Sequence, residues 1–166
     1  MKLVVRLAAP SEAALVHAIM LAAYAEYRGA LPVDSSAHAE TVDDVMDGMR
    51  KGGAILAFEG SQAIGSARFE PEAQSLYVRR VSVLSSHRRR GVASAIMRSM
   101  EAIAVESGRR AIRLEVRDSL PTNVSLYRSL GYEVASTKPH PRGADQIHTM
   151  IKHLTAHASR VDGGAV

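Results

Sequence analysis

The chain has 166 residues, 46% of them hydrophobic and 23% charged, enough to bury a core of its own. It carries no cysteine, which excludes disulfides, thiolate catalysis and cysteine-ligated metals, and no apolar window of the ~20 residues a membrane span needs. A formal charge of +4 leans toward anionic partners, while two Phe and no Trp argue against a base-stacking surface for single-stranded nucleic acid.

Residues 2–8, "KLVVRLA", suit a first strand, since Arg6 interrupts an apolar run too short for a signal peptide. Residues 10–29 follow as a helix, with Ser11 placed to cap it, apolar side chains at 15, 16, 19, 20 and 23, and Gly29 as its stop. After the loop "LPVDSSAHAE", residues 41–53 read as a second helix with acids in its first turn and basic residues in its last. Residues 54–70 change to two strands around Gly60-Ser61, a hairpin signal. In "SLYVRRVSVL", residues 75–84, Leu76 and Val78 keep one phase of the two-residue alternation and Val81 and Val83 keep the other. One extra residue near Arg79 and Arg80 reconciles them, which is what a β-bulge does. Residues 92–107 carry the helical stripe Val92, Ile96, Met100 and Ile103, and Gly108 suits its end. A strand at 111–118, a short helix at 121–131 and strands at 132–137 and 146–154 complete the pattern, with 155–166 as a flexible tail. No repeat or linker divides residues 1–154, which read as one domain. The order β-α-α-β-β-β-α-β-α-β-β predicts an α/β fold with a mixed, mostly antiparallel central sheet flanked by helices.

Between the bulged strand and the third helix stands "SSHRRRGVAS". The first turn of a helix has backbone N–H groups without intrahelical partners, at the positive end of its dipole. Gly91 removes a Cβ that would keep an anion from that backbone, Ala93 keeps a second approach point small, and Arg88, Arg89 and Arg90 add charge at the rim. Neither G-x-x-x-x-G-K-[ST] nor three spaced glycines is present, so the turn is neither a nucleotide P-loop nor a dinucleotide fingerprint.

The stretch "VSVLSSHRRRGVASAIM" resembles the cofactor motif of the GNAT superfamily of N-acetyltransferases, a strand followed by R/Q-x-x-G-x-G/A, matched at Arg88, Gly91 and Ala93. Later in the chain, "NVSLYRSLGYE" is similar to that family's second block, in which an Asn precedes a helix carrying Tyr; Asn123 and Tyr127 share one helical face. The resemblance implies a GNAT-like fold and acetyl-CoA as co-substrate. It implies that Val81, Ser82 and Val83 present backbone to the acetyl group and pantetheine arm. It further implies that Arg88 belongs to the cofactor site, that Arg89, Arg90, Gly91, Val92, Ala93 and Ser94 surround the pyrophosphate, that Asn123 binds the cofactor arm, and that Tyr127 stands near the sulfur as general acid. The implied reaction is acetyl transfer to a primary amine of a small molecule or peptide by direct attack in a ternary complex. A cytoplasmic setting is the default, and homodimers are common among such proteins.

An attacking amine must be neutral, yet a free alkyl amine is mostly protonated at pH 7. Many relatives of this kind use a glutamate on the long central strand, and "SLYVRRVSVL" has no acid. Glu70 and Glu72 precede that strand and Glu115 lies on the next; because strands 4 and 5 of the resembled fold part to admit the cofactor, Glu115 is the candidate base, and a water held by backbone carbonyls would serve equally. By resemblance the acceptor groove draws on Tyr24, Tyr27, Arg28 and the "KPHPRG" loop, and a basic groove would favour carboxylate-bearing acceptors. His148, His153 and His157 have no H-E-x-x-H spacing, so no metal is expected. Two other readings stand beside the enzyme. One is a non-catalytic acyl-CoA sensor of the same fold, favoured by the missing strand glutamate. The other is a nucleic-acid module on the arginine cluster, which the scarcity of aromatics opposes; neither nucleic acid nor a membrane is an expected partner.

Overall fold

The computed structural model describes residues 2–155, so the expected tail beyond Thr155, His157 included, lies outside the described residues. Four strands, β1 (Leu3–Leu7), β2 (Gly53–Glu59), β3 (Gln62–Pro71) and β4 (Ser75–Val83), pair antiparallel in sequence order. Three more, β5 (Ala111–Arg117), β6 (Glu133–Pro139) and β7 (Gln146–His153), pair antiparallel with β7 in the middle. All seven form one sheet in the order β1-β2-β3-β4-β5-β7-β6. Only β4 and β5 run parallel, joined by the crossover helix α3 (Val92–Glu106). Helices α1 (Ala13–Tyr24), α2 (Val42–Lys51) and α4 (Pro121–Ser129) complete the fold.

The apolar run of β2 shows why the sheet has helices on both faces. Ile55 and Ala57 pack into the core built with Ile96, Met97 and Met100 of α3, whereas Ala54 and Leu56 pack with Ala13, Val16 and Val45 of α1 and α2. A strand buried on both faces reads as a continuous apolar stretch. Among the described residues no helix is long and apolar enough to cross a membrane.

Helix α1 is shorter than its periodicity predicts. Single 3₁₀ turns, Pro10–Glu12 and Ala25–Tyr27, flank it, and Ser11 does not cap it. The Glu12 carboxylate accepts the Ala9 N–H at 2.8 Å instead. Hydrogen bonds from Arg6 and from Ala9 pull the Glu12 pKa down to about 2. Helix α2 starts as expected, with Thr41 Oγ1 accepting from Asp44 N–H at 3.2 Å and the Asp44 carboxylate accepting from Thr41 N–H at 2.8 Å.

Two features of β4 position the site. Across β3, Ser66 faces Ser82 and Arg68 faces Arg79, so Arg80 and Val81 together oppose Ala67: the bulge falls where the phase change puts it. Past it, Val81 and Val83 pack on the same core as Leu76 and Val78. Pairing with β5 covers only Ser75↔Ala111, Leu76↔Ile112 and Tyr77↔Arg113, after which the two strands part.

Candidate active site

Where β4 leaves β5 the fold encloses a cavity of about 660 Å3. Val81, Ser82 and Val83 form one wall; Arg88, Arg89, Gly91, Val92, Ala93 and Ser94 form the end where α3 begins. Asn123 and Tyr127 of α4 stand opposite, and Tyr24 and Tyr27 close the side toward α1. Tyr24 and Tyr127, 103 positions apart in the chain, come together here because the parting strands leave a gap that α1, α3 and α4 surround.

Gly91 is the residue before α3 and has φ +78°, a left-handed conformation. A Cβ added there meets no atom within 4 Å, so the backbone angle, not crowding, asks for glycine, and the approach to the first turn of α3 is open. Arg89 is left-handed too, at φ +59°.

The three arginines have separate tasks. Arg88 lines the cavity but spends its guanidinium on the protein: it pairs with Glu26 and donates to the carbonyls of Ala23 at 3.0 Å and Val83 at 3.3 Å. That ties the end of α1 to the end of β4. Arg90 is not on the cavity wall. Its side chain turns to Glu59 at 2.8 Å, and His87 binds the other oxygen of the same carboxylate at 3.1 Å. Of the predicted rim, Arg89 and Arg88 reach the cavity and Arg90 does not.

Tyr127 is 8% exposed and meets Tyr132 edge to face at 5.9 Å. Burial, reinforced by the nearby Tyr24 and Tyr27 hydroxyls, raises its pKa well above that of a free phenol. Tyr24 and Tyr27 meet edge to face at 5.8 Å, and burial raises both of their pKa values as well. All three hydroxyls are neutral at pH 7 and able to donate.

Glu115 does not join them. The alternation of β5 buries Ile112, Leu114 and Val116 and turns Glu115 to the other side, where Lys138 at 3.2 Å and Arg113 at 3.7 Å hold its carboxylate. In the "KPHPRG" loop, expected to contribute to a basic groove, Arg142 turns its guanidinium to the protein. Arg142 donates to the carbonyl of Asp34 at 3.0 Å, and Arg117 to the carbonyls of Val33 and Asp34. These bonds lace the two loops together. A shallower groove shares Ser119 with the main cavity and is lined by Pro32, Asp118, Pro139, Gly143, Ala144, Asp145 and Gln146, with no cationic side chain.

Sequence reasoning missed Glu26 and the segment Ser119, Leu120, Pro121 and Thr122, all on the cavity wall. Two signals were available: Glu26 lies between Tyr24 and Tyr27, and the segment joins the parting strand to Asn123.

A family model described as Acetyltransferase (GNAT) family matches residues 18–132, from α1 through α4. The chain belongs to the GNAT acetyltransferase family. The uncharacterized N-acetyltransferase YjcF of Bacillus subtilis (strain 168) is 30% identical over 84 residues, which is 51% of this chain and 58% of that relative's length. Among solved structures, the ribosomal-protein-S18-alanine N-acetyltransferase from Escherichia coli superposes with a TM-score of 0.76 at 14% identity, covering 96% of this chain and 99% of that one. Salmonella typhimurium yncA, solved with its cofactor acetyl-CoA, superposes with a TM-score of 0.73 at 16% identity, covering 95% and 96%. At such identity these likenesses concern the fold alone.

Proposed function

We propose that this GNAT-family protein is an acetyl-CoA-dependent N-acetyltransferase that acetylates a primary amine of a small molecule or peptide by direct attack in a ternary complex. One observation carries the reading: the bulged backbone at Val81, the start of α3 at Gly91 and the buried Tyr127 hydroxyl all open on a single cavity. The first-turn N–H groups of α3, with Arg89 at the rim, favour the pyrophosphate. Backbone at Val81, Ser82 and Val83 takes the acetyl and pantetheine groups, and Asn123 binds the arm. Arg88 holds this cradle in place, and Arg90 has no part in it.

Attack forms a C–N bond and breaks the C–S bond; the amine gives up one proton and the sulfur gains one. Negative charge on the thioester oxygen is best met by fixed backbone donors in a site sheltered from water. Tyr127 stays protonated throughout the neutral range and so donates to the departing sulfur. The proton leaving nitrogen goes to water in the cavity, because Glu115 faces away and Glu26, on the wall, is bound to Arg88. The protein works in the cytoplasm, with residues 1–154 as the catalytic unit and a homodimer as the expected assembly.

Acetyl-CoA is expected to raise the melting temperature, through linkage, and an amine panel to release free CoA thiol. No shift at millimolar acetyl-CoA sinks the proposal. The pairing of both nearby carboxylates favours one alternative, an acyl-CoA sensor: tight binding with no turnover of any amine, peptide or aminoglycoside selects it.

A further inference from the structure

We propose that Glu40 is a positioning residue for the acetyl site: from the loop between α1 and α2 it holds Arg80 in the left-handed conformation that makes the β4 bulge. The inference rests on the proposal that Val81, the next residue, receives the acetyl group.

Arg80 has φ +56°, a conformation that presses any Cβ against the backbone and that glycine adopts freely. Such a residue persists only where its surroundings hold it. Here they hold both ends. The Arg80 carbonyl accepts a hydrogen bond from Ser82 Oγ at 2.9 Å. Its guanidinium gives two bonds to one oxygen of Glu40, from Nε at 3.0 Å and Nη2 at 2.8 Å, and a third to Ser36 Oγ at 2.7 Å. The second Glu40 oxygen is taken by Arg68, which faces Arg79 across β3 and β4. The main-chain carbonyl of Glu40 meets His17 Nε2 of α1 at 2.7 Å, so the clamp is itself anchored. Both side chains are largely withdrawn from solvent, 16% exposed for Arg80 and 13% for Glu40, where a charge-assisted pair is strong. Arg80 is not on the cavity wall; its backbone continues into Val81, which is, and its guanidinium stands 6.0 Å from the ring centre of Tyr24, also on the wall, a contact that the alanine and glycine variants remove alike.

Alanine and glycine at position 80 separate this role from a general one. Both remove the guanidinium and leave the Arg68–Glu40 pair intact, but only glycine tolerates the left-handed angle. Isothermal titration is run with acetyl-CoA and with CoA. Arg80→Ala is expected to bind acetyl-CoA about fivefold more weakly while CoA binding stays within about twofold, the size of one lost backbone hydrogen bond. Its kcat for thiol release falls about tenfold, as a displaced reacting group predicts. Arg80→Gly exceeds Arg80→Ala on both measures, and Glu40→Gln lowers both in the native background but adds nothing to Arg80→Gly. Equal losses in the alanine and glycine variants overturn the clamp. The Val81 amide resonance gives a readout that needs no ligand: it moves in Arg80→Ala and returns toward native in Arg80→Gly, and an unmoved resonance in Arg80→Ala also overturns it. If the native protein binds neither ligand, the proposed function falls, and the amide resonance still decides the clamp.

Discussion

The two ends of β4 do opposite things with one backbone. At its start, Ser75, Leu76 and Tyr77 pair with β5, and Leu76 and Ile112 are buried in the main core. Glu72 fastens that end from outside: its carboxylate binds Arg113 of β5 at 2.6 Å and Ser75 of β4 at 2.6 Å. At its finish, beyond the bulge, the same strand faces a cavity. Pairing and packing hold the end where the strands touch, a cavity opens where they part, and one extra residue at Arg80–Val81 marks the change.

Substitutions at either end test that division. Ile112→Ala leaves a hole in a fully buried position and is expected to lower unfolding free energy by about 3–4 kcal/mol in urea titration, without changing acetyl-CoA affinity of the folded protein. A large change in affinity would mean the ends are not separable. Tyr127→Phe belongs to the open end: kcat falls about 100-fold, with the melting temperature nearly unchanged. Because burial raises the Tyr127 pKa, the native pH–rate profile shows no loss from this group up to about pH 10, the free phenol value. Gly91→Ala adds a methyl that touches nothing in the protein but strains φ; it is expected to cost about 1 kcal/mol of stability and to weaken CoA binding about tenfold by titration.

The smallest effect is electrostatic and belongs to the closed end. Hydrogen bonds from Arg113 and then Ser75 hold the Glu72 carboxyl below the usual carboxylate range, against opposing desolvation. A lowered folded-state pKa stabilises fully above the ordinary value of 4.5 and loses that contribution as pH falls through the folded value. The gap in melting temperature between native protein and Glu72→Gln should therefore be widest near neutrality and close in acid. A gap that widens in acid would remove Glu72 from the clasp.

What was legible in the sequence is what neighbouring residues decide. The phase change between Val78 and Val81 located the bulge, and the turn chemistry of "RRRG" located the start of α3. The destinations of charged side chains were not legible. Arg88 meets Glu26 and Arg90 meets Glu59, partners 62 and 31 positions away, and no local pattern encodes such pairs. Glu115 looked available because its strand neighbours the central one, yet alternation turned it away, and Lys138 lies 23 positions further on. Glu40 stood unnoticed in a loop because the arginines around it, Arg68 of β3 and Arg79 and Arg80 of β4, lie 28 to 40 positions further on.

The early end of β4–β5 pairing has one more consequence. Past Tyr77, the middle of the sheet contains strand margins of the kind that elsewhere sit at a sheet's rim and recruit other chains into aggregates. Here the margin on the β4 side, Val81 to Val83, lies on the wall of a recess shared with Tyr24, Tyr27 and Tyr127. A stretch of strand backbone is thus left unpaired inside the molecule, in the middle of the sheet, instead of along its outer rim.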